Sequence, residues 1–489
     1  MRMARARFAP SPTGPIHIGN IRTALFNYLF VKSGGKDNAM VLRIEDTDLQ
    51  RSSTEYEKLI YEELKWLGIE WDEGPDKGGQ YSPYRQSERL DIYNEYYNRL
   101  IAEGKAYYCF CTPEELELDK KKTACESSSP RYSGRCRELT NEQVKQYLEE
   151  GRPATIRLII DPEKTVVFND VIKGRIEIDS DTLGGDMVIR KSDGMPTYNY
   201  SVVIDDHLMG ITHVIRGEDH LTNTPKQILL YEALGWDAPI FAHAPLILGP
   251  DRTKLSKRHG NTYIGQYREE GYLPEAMFNY LALLSWSPEG EKELLSKEEI
   301  IEQFRLDRVT RANPVFDINK LNWINAHYIK ESPPERIVEL AKPYLVKEGF
   351  LTPHQAEERQ EWLTLMVSTV QERLTKVSDI TSLARMFFDD QIAPENDEAL
   401  MVLKEEGVGG LLQALKSAVE KVGEVDHHFC SGIFKALQKE TGLKGKKLFM
   451  PVRVAVTGQC HGPELDKTFL LLGKEKLLAR LEHVLNNYV

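Results

Sequence analysis

A strand, a glycine-containing loop and a helix follow one another at the start of the chain, and this order most constrains the fold. Charged and apolar residues alternate over residues 4–8 (ARARF), as in a short strand, before prolines and glycines interrupt regular structure over residues 9–20 (APSPTGPIHIGN). Apolar residues then recur at helical spacing over residues 21–29. Because a helix that starts at such a loop points its N-terminus at an anion, we expect a phosphate site near His17 and Gly19.

A second stretch supports the phosphate interpretation. The first loop alone is equally consistent with an ordinary strand-to-helix turn that contains a histidine. Residues 251–260 (DRTKLSKRHG), however, bring together four cations: Arg252, Lys254, Lys257 and Arg258. Cations this close repel one another unless an anion neutralises them. Two such loops in one chain favour a polyphosphate ligand over a solvated basic loop.

The composition is that of a large folded enzyme. The 489 residues predict about three domains, and 41% hydrophobic with 28% charged residues excludes a disordered chain. With 63 basic and 75 acidic residues the net charge is −12, so the chain is not a general polyanion binder. No secretory signal, membrane-spanning stretch or disulfide framework is evident. We therefore expect a cytoplasmic enzyme without a membrane or DNA partner.

Motifs along nearly the whole chain resemble one family. Residues 10–20 are similar to the His-Ile-Gly-His region of class I aminoacyl-tRNA synthetases, and residues 254–258 (KLSKR) are similar to their KMSKS loop. Eight further motifs resemble bacterial-type glutamyl-tRNA synthetase: RFAPSPTG, LRIEDTD, LKWLG, YRQSER, DGMPTYN, VIDDHLMG, VIRGEDHL and PVFD. Asn20 stands where many class members have a second histidine, and it keeps a hydrogen-bond donor without becoming cationic.

The resemblance implies a glutamate–tRNA ligase. In that reaction L-glutamate attacks ATP to give glutamyl-adenylate and pyrophosphate, and the 3′-terminal adenosine of tRNA then takes the glutamyl group. Such chemistry needs positioning and charge stabilisation rather than a covalent nucleophile, with Mg²⁺ bound mostly by phosphates and water. The implied catalytic residues are His17, Lys254 and Lys257. The implied ATP-binding residues are Pro15, His17, Gly19, Asn20, His220, Leu246, Ile247, Lys254 and Lys257.

An acidic substrate side chain calls for arginine, because the guanidinium fork pairs with a carboxylate bidentately. The resemblance implies a glutamate-binding set in which Glu45 takes the substrate ammonium; the set is Arg7, Ala9, Ser11, Glu45, Tyr198 and Arg216. The alternative for both arginines is structural ion pairing with Glu45, Asp46 or Asp219.

Four of the six cysteines lie within residues 109–136, which in a cytoplasmic chain suggests zinc rather than disulfides. Several relatives bind zinc in this region, and Glu138 stands where some of them use histidine. The resemblance implies Cys109, Cys111 and Cys136 as ligands, with Tyr132 or Cys125 as the fourth. The alternative is a set of unligated thiols.

The pattern and the resemblance together predict an α/β fold: a split Rossmann-like catalytic domain with an α+β acceptor-binding insertion, then helical stem-contact and all-α anticodon-binding domains. The predicted segments are residues 1–82 (catalytic, first half), 83–195 (insertion), 196–260 (catalytic, second half), 261–325 (stem contact), 326–385 and 386–489 (anticodon binding). Arg305, Arg308 and Arg311 recur every third residue and suggest a basic helix face for tRNA, and Arg373 is a candidate anticodon contact. A solvated helix face is the alternative.

The helical C-terminal half separates the related alternatives. Glutaminyl-tRNA synthetases end in β-barrels, short paralogues that modify a tRNA base lack this half, and a plain nucleotidyltransferase has no need of it. A non-catalytic tRNA-binding paralogue would tolerate the loss of His17, Lys257, Arg7 or Arg216, yet all four are present. We therefore expect an enzyme that charges tRNA(Glu), with tRNA(Gln) left open as a second partner. Separately, we expect a monomer.

Overall fold

The computed structural model describes residues 3–126 and 132–489, with the backbone alone at residues 120 and 122–126. Nine strands occur in the described ranges: β1 Arg5–Phe8, β2 Ala39–Leu42, β3 Ala106–Cys109, β4 Thr155–Leu158, β5 Thr165–Asp170, β6 Gly174–Asp179, β7 Met187–Arg190, β8 His213–Gly217 and β9 Ile240–Ala244.

Helices make up most of the remainder, joined by turns and short 3₁₀ segments. The α-helices are α1 Ile18–Ser33, α2 Thr54–Trp66, α3 Leu90–Ala102, α4 Pro113–Glu126, α5 Asn141–Glu149, α6 Tyr198–Leu208, α7 Thr224–Leu234, α8 Ile264–Glu269, α9 Pro274–Leu283, α10 Lys297–Gln303, α11 Ile318–Glu331, α12 Pro334–Lys347, α13 Pro353–Glu358, α14 Gln360–Val370, α15 Ile380–Phe388, α16 Asp397–Leu403, α17 Val408–Lys421, α18 His427–Thr441, α19 Lys446–Thr457 and α20 Leu465–Asn487. None of the described helices is both long and apolar enough to cross a membrane.

The strand–loop–helix unit at the start of the chain opens a four-stranded parallel sheet of order β2-β1-β8-β9. Every residue of β1 and β2 is buried, as expected for parallel strands that helices cover on both faces. The strand order reverses between β1 and β8, and open α/β sheets bind ligands at the carboxyl ends of strands at such a point. The sheet also confirms the split fold, because β1 and β2 precede the insertion whereas β8 and β9 follow it.

The insertion contributes two small antiparallel sheets, β3-β4-β7 and the hairpin β5-β6. Val171 donates its backbone N–H to Phe241 of β9 at 2.9 Å, which attaches the hairpin to the parallel sheet. The apolar β-branched run at residues 202–204 is typical of a strand, but these residues lie in α6, whose residues 200–206 are all buried. Tertiary burial on all sides therefore overrides their preference for strands.

The chain divides into two compact units, residues 1–268 with 274–318, and residues 269–273 with 319–489. The described residues of the second unit are helical without strands, and α20 is interrupted at Gly473, which has a left-handed φ of 67°. Leu477, Leu481 and Val484 of α20 are buried, as the apolar spacing indicates. The boundaries of the six predicted segments remain a prediction.

Two local expectations on the stem-contact segment have opposite outcomes. The motif SKEE at residues 296–299 predicts a capping box, and Ser296 and Glu299 form it at the start of α10. The expected helix face at Arg305, Arg308 and Arg311 is wrong, since only residues 306–308 form a 3₁₀ turn. Three buried apolar side chains adjacent to these arginines in sequence anchor the segment in an irregular path: Phe304, Leu306 and Val309.

Candidate functional site

A cavity of about 280 Å³ opens at the carboxyl ends of β1 and β8. Its lining includes the residues that follow β1, the start of α6 and the end of β8: Arg7, Phe8, Ala9, Pro10, Ser11, Thr13, Asn20, Thr23, Glu45, Tyr198, Ile215, Arg216, Gly217, Asp219 and His220. All six residues of the implied glutamate-binding set are among them. The cavity therefore joins both arginines to Glu45, although these residues lie far apart in the sequence.

Arg7 is buried and held by a carboxylate. Its Nε donates to both carboxylate oxygens of Asp206, at 3.1 and 3.2 Å, and Arg43 donates to the same carboxylate at 2.7 Å. Burial acts to raise the pKa of Asp206, but the charges of Arg7 and Arg43 outweigh it and hold the pKa below its usual value. Among the described residues, none accepts a hydrogen bond from Nη1 or Nη2 of Arg7. The partner is thus Asp206, and the terminal nitrogens remain available to a ligand.

Arg216 is equally buried but is held by uncharged groups. Nε donates to Nε2 of His243 at 3.1 Å, Nη1 to the Tyr198 hydroxyl at 3.3 Å, and Nη2 to Thr224 at 2.9 Å and Gln227 at 2.8 Å. No carboxylate pairs with Arg216 in the part of the chain that the structure describes. Burial lowers the pKa of Arg216, because its charge is removed from water without a counter-ion. A ligand carboxylate in the cavity would supply that counter-ion.

Glu45 is the acidic group of this cavity that the family resemblance assigns to an ammonium. Arg43 donates to it at 3.1 Å, yet burial raises the pKa of Glu45 above its usual value despite the attraction of Arg43 and Arg7. A ligand cation would therefore stabilise the ionised carboxylate. Among the described residues neither arginine pairs with Glu45, Asp46 or Asp219. Arg7 has a structural ion pair with Asp206 instead, and Arg216 has none within the described ranges.

A second cavity, of about 480 Å³, adjoins the first and lies between the two predicted phosphate loops. Its lining includes His17, Gly19, Asn20, Arg22, Thr23, Gly217, Asp219, Pro245, Leu246, Ile247, Lys254, Leu255, Ser256, Lys257, Thr262 and Tyr263. Asn20, Thr23, Gly217 and Asp219 line both cavities. A molecule bound in one cavity can therefore touch a molecule bound in the other.

His17 caps the N-terminus of α1. Its Nδ1 accepts a hydrogen bond from the Gly19 N–H at 3.1 Å, so the ring proton resides on Nε2. Burial, followed by repulsion from Lys254, lowers the pKa of His17, although a backbone hydrogen bond with Leu255 acts in the opposite direction. The ring is therefore a neutral donor at the positive end of a helix, an arrangement suited to phosphate oxygens.

The second loop forms a tight turn whose cations are exposed. Leu255 donates its N–H to Ile247 at 3.0 Å, and Gly249 donates its N–H to Thr253 at 2.8 Å. Lys254 and Lys257 face the cavity. Within the same loop the Asp251 carboxylate pairs with Arg258 at 2.9 Å and with His259 at 3.1 Å. Of the four cations, Arg258 is thus paired within the loop, and Lys254 lies 4.0 Å from Asp219 outside it. Both lysines still face the cavity, where a ligand could reach them.

Two residues of the implied ATP-binding set lie elsewhere than expected. His220 lines the first cavity rather than the second, because the 3₁₀ turn Glu218–Asn223 folds it over Tyr198, with ring centroids 5.3 Å apart. Burial, and next Arg216, lowers the pKa of His220 to about 4, so it is neutral. Pro15 is exposed and lines neither cavity. The other seven residues of the set line the second cavity.

Three cysteines converge in the insertion. The Sγ atoms of Cys109, Cys111 and Cys136 lie within 4.8 Å of one another, and the Tyr132 hydroxyl lies 3.5 Å from Sγ of Cys109 and 3.7 Å from that of Cys111. A hydrogen bond from Cys136 lowers the pKa of Cys109 to about 4 even though burial opposes the shift. A thiolate within a compact set of sulfur atoms fits Zn²⁺. The side chain of Cys125 lies outside the described residues.

Each of the arginines predicted to contact tRNA has a different environment in the structure. Arg305 donates to the carbonyls of Glu302 and Phe304, Arg308 pairs with Glu289 at 3.0 Å, and Arg311 donates to the carbonyl of Ile172 at 2.9 Å. Arg373 is exposed at the end of a 3₁₀ turn. Their contact with tRNA stays a prediction.

Comparison with known proteins finds similarity to one family over nearly the whole chain. The family model "tRNA synthetases class I (E and Q), catalytic domain" matches residues 3–323, and "Anticodon binding domain" matches residues 336–485. The glutamate–tRNA ligase 2 of Caldanaerobacter subterraneus subsp. tengcongensis is 59% identical over 486 residues, which is 99% of each chain. The chain belongs to the glutamate–tRNA ligase family. This membership confirms the resemblance drawn from the motifs and the predicted fold class.

Two further relatives extend the comparison. The glutamate–tRNA ligase of Bacillus subtilis is 49% identical, with 98% of this chain and 99% of that one covered. A crystal structure of the glutamate–tRNA ligase of Elizabethkingia meningosepticum in complex with its amino acid has a TM-score of 0.88 at 38% identity, and both chains are covered completely. The split sheet and the helical second unit are therefore features shared with this family.

Sequence reasoning missed the residues that hold the two arginines: Asp206, His243, Thr224 and Gln227. Asp206 gave a signal, because residues 205–206 are two adjacent aspartates in an otherwise apolar stretch, and buried acids require cationic partners. His243 gave none, since a single histidine among apolar residues is usually packed without a special role.

Proposed function

We propose that this chain attaches L-glutamate to tRNA in two steps, through a glutamyl-adenylate formed from ATP. The observation that supports it best is the pair of adjoining cavities, one with two buried arginines and a buried glutamate, the other with His17, Lys254 and Lys257. The residues shared by both cavities lie where an amino-acid carboxylate would meet the α-phosphate. Positioning of this kind replaces a bimolecular encounter by an oriented one.

In the first cavity the two arginines bind the side-chain carboxylate of glutamate. Arg7 offers its terminal nitrogens, and Arg216 offers the one N–H of Nη1 that Tyr198 does not take. Glu45 binds the ammonium, and Ala9 and Ser11 lie beside it in the lining. Glutamine is rejected, because its neutral amide supplies no charge to the buried guanidinium of Arg216 and presents its own N–H groups to donors.

In the second cavity His17 and the N-terminus of α1 bind the phosphates of ATP, with Gly19 allowing close approach, while the backbone at Leu246–Ile247 faces the base. Lys254 and Lys257 stabilise the charge that develops on pyrophosphate as it leaves. Mg²⁺ would be held mainly by phosphate oxygens and water, with Asp219 and Asn20 as nearby oxygen ligands, and it would neutralise phosphate charge.

The test is aminoacylation of separated tRNA isoacceptors with labelled glutamate, together with ATP–pyrophosphate exchange in the presence of tRNA. We expect charging of tRNA(Glu) with glutamate and none with glutamine or aspartate. Charging of tRNA(Gln) with glutamate would identify a non-discriminating enzyme. A chain that binds tRNA but forms no glutamyl-tRNA would overturn the proposal.

We further propose that the cysteine cluster holds one structural Zn²⁺, with Cys109, Cys111, Cys136 and Tyr132 as ligands. The short distances among the three sulfur atoms and the Tyr132 hydroxyl support this assignment. Elemental analysis should find about one zinc per chain, which Cys111→Ser removes and Cys430→Ser retains. Metal-free protein from a preparation without chelators would favour unligated thiols.

For tRNA we propose contacts from Arg305, Arg308, Arg311 and Arg373 to the phosphate backbone. Each lost phosphate contact should lower tRNA affinity and reduce the dependence on salt by about one unit of the log–log slope. Arg373→Ala, with the exposed Lys404→Ala as the control, tests this by tRNA binding across a salt series. We also propose that the chain is cytoplasmic and works as a monomer. The molar mass in solution tests the oligomeric state.

A further inference from the structure

The reaction described above does not use the buried titratable pair Asp170 and His243. Both side chains are fully buried, and Nδ1 of His243 lies 2.6 Å from Oδ2 of Asp170. Asp170 ends strand β5 of the insertion hairpin, whereas His243 lies on β9 of the parallel sheet. His243 is the register partner of Arg216 on the neighbouring strand β8, so both side chains lie on the same face of the sheet.

The contacts of the pair determine which ring nitrogen bears the proton. Nε of Arg216 is always a donor and lies 3.1 Å from Nε2 of His243, so Nε2 must accept. The ring proton then resides on Nδ1 and is donated to the Asp170 carboxylate, which when ionised only accepts. Burial lowers the pKa of His243 even though Asp170 opposes the shift, which keeps the ring neutral and Nε2 free to accept.

We propose that His243, held in its Nδ1–H form by Asp170, is a positioning residue that orients the Arg216 guanidinium for the substrate carboxylate. This inference rests on the proposed function, because it concerns how that same cavity selects glutamate. An arginine has five N–H donors. Four of them are engaged by His243, Thr224, Gln227 and Tyr198, which leaves one N–H of Nη1 for the ligand.

The role of His243 differs from that of the other three partners. The two terminal nitrogens of Arg216 are bound by Thr224, Gln227 and Tyr198. Only His243 binds Nε, and this contact fixes the guanidinium at the end nearest the backbone. Nε2 of His243 also lies 3.1 Å from Oγ1 of Thr224, so the ring orients a second partner of Arg216. Loss of the correct tautomer would place two donors against each other at Nε.

Asp170→Asn is the variant that tests the tautomer with the least disturbance. Oδ1 of Asp170 accepts three backbone N–H groups, from Ile172 at 3.0 Å, Lys173 at 2.7 Å and His243 at 3.3 Å, and an asparagine Oδ1 can accept all three. Its amide nitrogen would then face Nδ1 and donate to it, which drives the ring proton to Nε2. The fold contacts are retained while the acceptor for Arg216 is lost.

We expect Asp170→Asn to raise the KM for glutamate roughly tenfold or more, with the KM for ATP and the melting temperature close to those of the parent. The assay is ATP–pyrophosphate exchange with tRNA present, and ring ¹⁵N shifts of histidine-labelled full-length protein report the tautomer. A parental KM for glutamate together with the shifted tautomer would overturn the inference. Because the parent is assayed alongside, failure of the parent to use glutamate would instead refute the proposed function.

Two substitutions of His243 provide the second arm. In His243→Gln the side-chain carbonyl reaches the place of Nε2 and can accept from Arg216, whereas in His243→Asn it reaches only the place of Nδ1. A positioning role predicts a lower KM for glutamate in His243→Gln than in His243→Asn. Equal KM values in two folded variants, or the reverse order, would show that the ring serves packing alone.

Discussion

The two adjoining cavities present their cations in opposite ways. Arg7 and Arg216 are 3% and 5% exposed; Asp206 holds Arg7 and four uncharged partners hold Arg216, whereas the side chains of Lys254 and Lys257 are exposed. Lys254 lies 4.0 Å from Asp219, and Lys257 lies 5.3 Å from the centroid of the Tyr263 ring. The amino-acid cavity thus has its charges fixed before the ligand arrives, and the nucleotide cavity has charges that can follow a ligand.

This contrast corresponds to two different tasks. Selecting one small carboxylate requires donors with fixed directions, because discrimination depends on buried groups that a wrong ligand leaves unpaired. Stabilising a departing pyrophosphate requires charge near a moving group, for which point charges on flexible lysine side chains are suited. Substitutions in the two cavities should therefore affect different kinetic constants.

The largest effect is expected for Lys257→Ala. Its ammonium acts mainly in the transition state, so kcat for glutamate activation should fall about 100-fold or more while the KM for glutamate changes little. Lys36→Ala, at an exposed lysine after α1, is the matched control and should behave as the parent. A turnover of Lys257→Ala comparable to that of the parent would remove this residue from the proposed mechanism.

The next largest effect is expected in the amino-acid cavity. Arg7→Ala and Arg216→Ala should each raise the KM for glutamate about 10- to 100-fold, because each removes a charged hydrogen bond to the substrate, and should leave the KM for ATP nearly unchanged. Exposed Arg175 supplies the control substitution. Normal use of glutamate by either variant would show that the arginine in question is structural.

The sequence predicted many of the residues that line the two cavities, but not the residues that support them. Most of the expected residues line the cavities. The loops at residues 9–20 and 251–260 gave local signals of glycine and clustered cations, whereas the amino-acid set came from the family motifs. The residues behind them were not predicted, since Asp206 and His243 acquire their roles only when strands and helices distant in the chain come together. For the same reason the sequence does not show which of the two adjoining cavities His220 lines, because a 3₁₀ turn decides it.

The same limit explains the stem-contact segment. The spacing of Arg305, Arg308 and Arg311 matched a helix, but the burial of Phe304, Leu306 and Val309 determined the path of the backbone. The capping box at Ser296 was predicted because it depends on residues three positions apart. Local patterns thus predicted the structure correctly where local contacts decide it.

A smaller effect is expected when the ionic strength is changed, because the KM for ATP and the KM for glutamate should respond differently. Raising the salt concentration from about 0.05 M to about 0.5 M shortens the screening length severalfold, which weakens exposed charges far more than buried ones. The KM for ATP should therefore rise severalfold, whereas the KM for glutamate should stay within about twofold. Potassium chloride and potassium acetate serve as parallel series, so that a specific anion effect is recognised. An equal response of both constants would contradict the contrast between fixed and exposed cations.

The smallest effect is expected for Glu63, a buried carboxyl that interacts with the backbone near both phosphate loops. Burial raises the pKa of Glu63 to about 7 from its usual 4.5, against the charge of Arg268 and the backbone N–H groups of Gly265 and Ile16. Ile16 precedes His17, and Gly265 lies in α8, just after the second loop, so this carboxyl connects the backbones at the two phosphate loops. Because the folded state holds the proton more tightly than the unfolded state, the contribution of Glu63 to stability falls as the pH rises from about 4.5 to about 7.

Glu63→Gln stays neutral throughout and should escape this loss. The melting temperature of the variant minus that of the parent should therefore be larger at pH 8 than at pH 5, by a few degrees. The reason is that the variant has no carboxylate to ionise in the folded state. Exposed Glu62→Gln is the neighbouring control and should show no such crossover. A difference between variant and parent that is independent of pH would mean that Glu63 is already ionised at pH 5. In that case the two loops would be joined through a permanent charge, and the nucleotide cavity would share the fixed electrostatics of the amino-acid cavity.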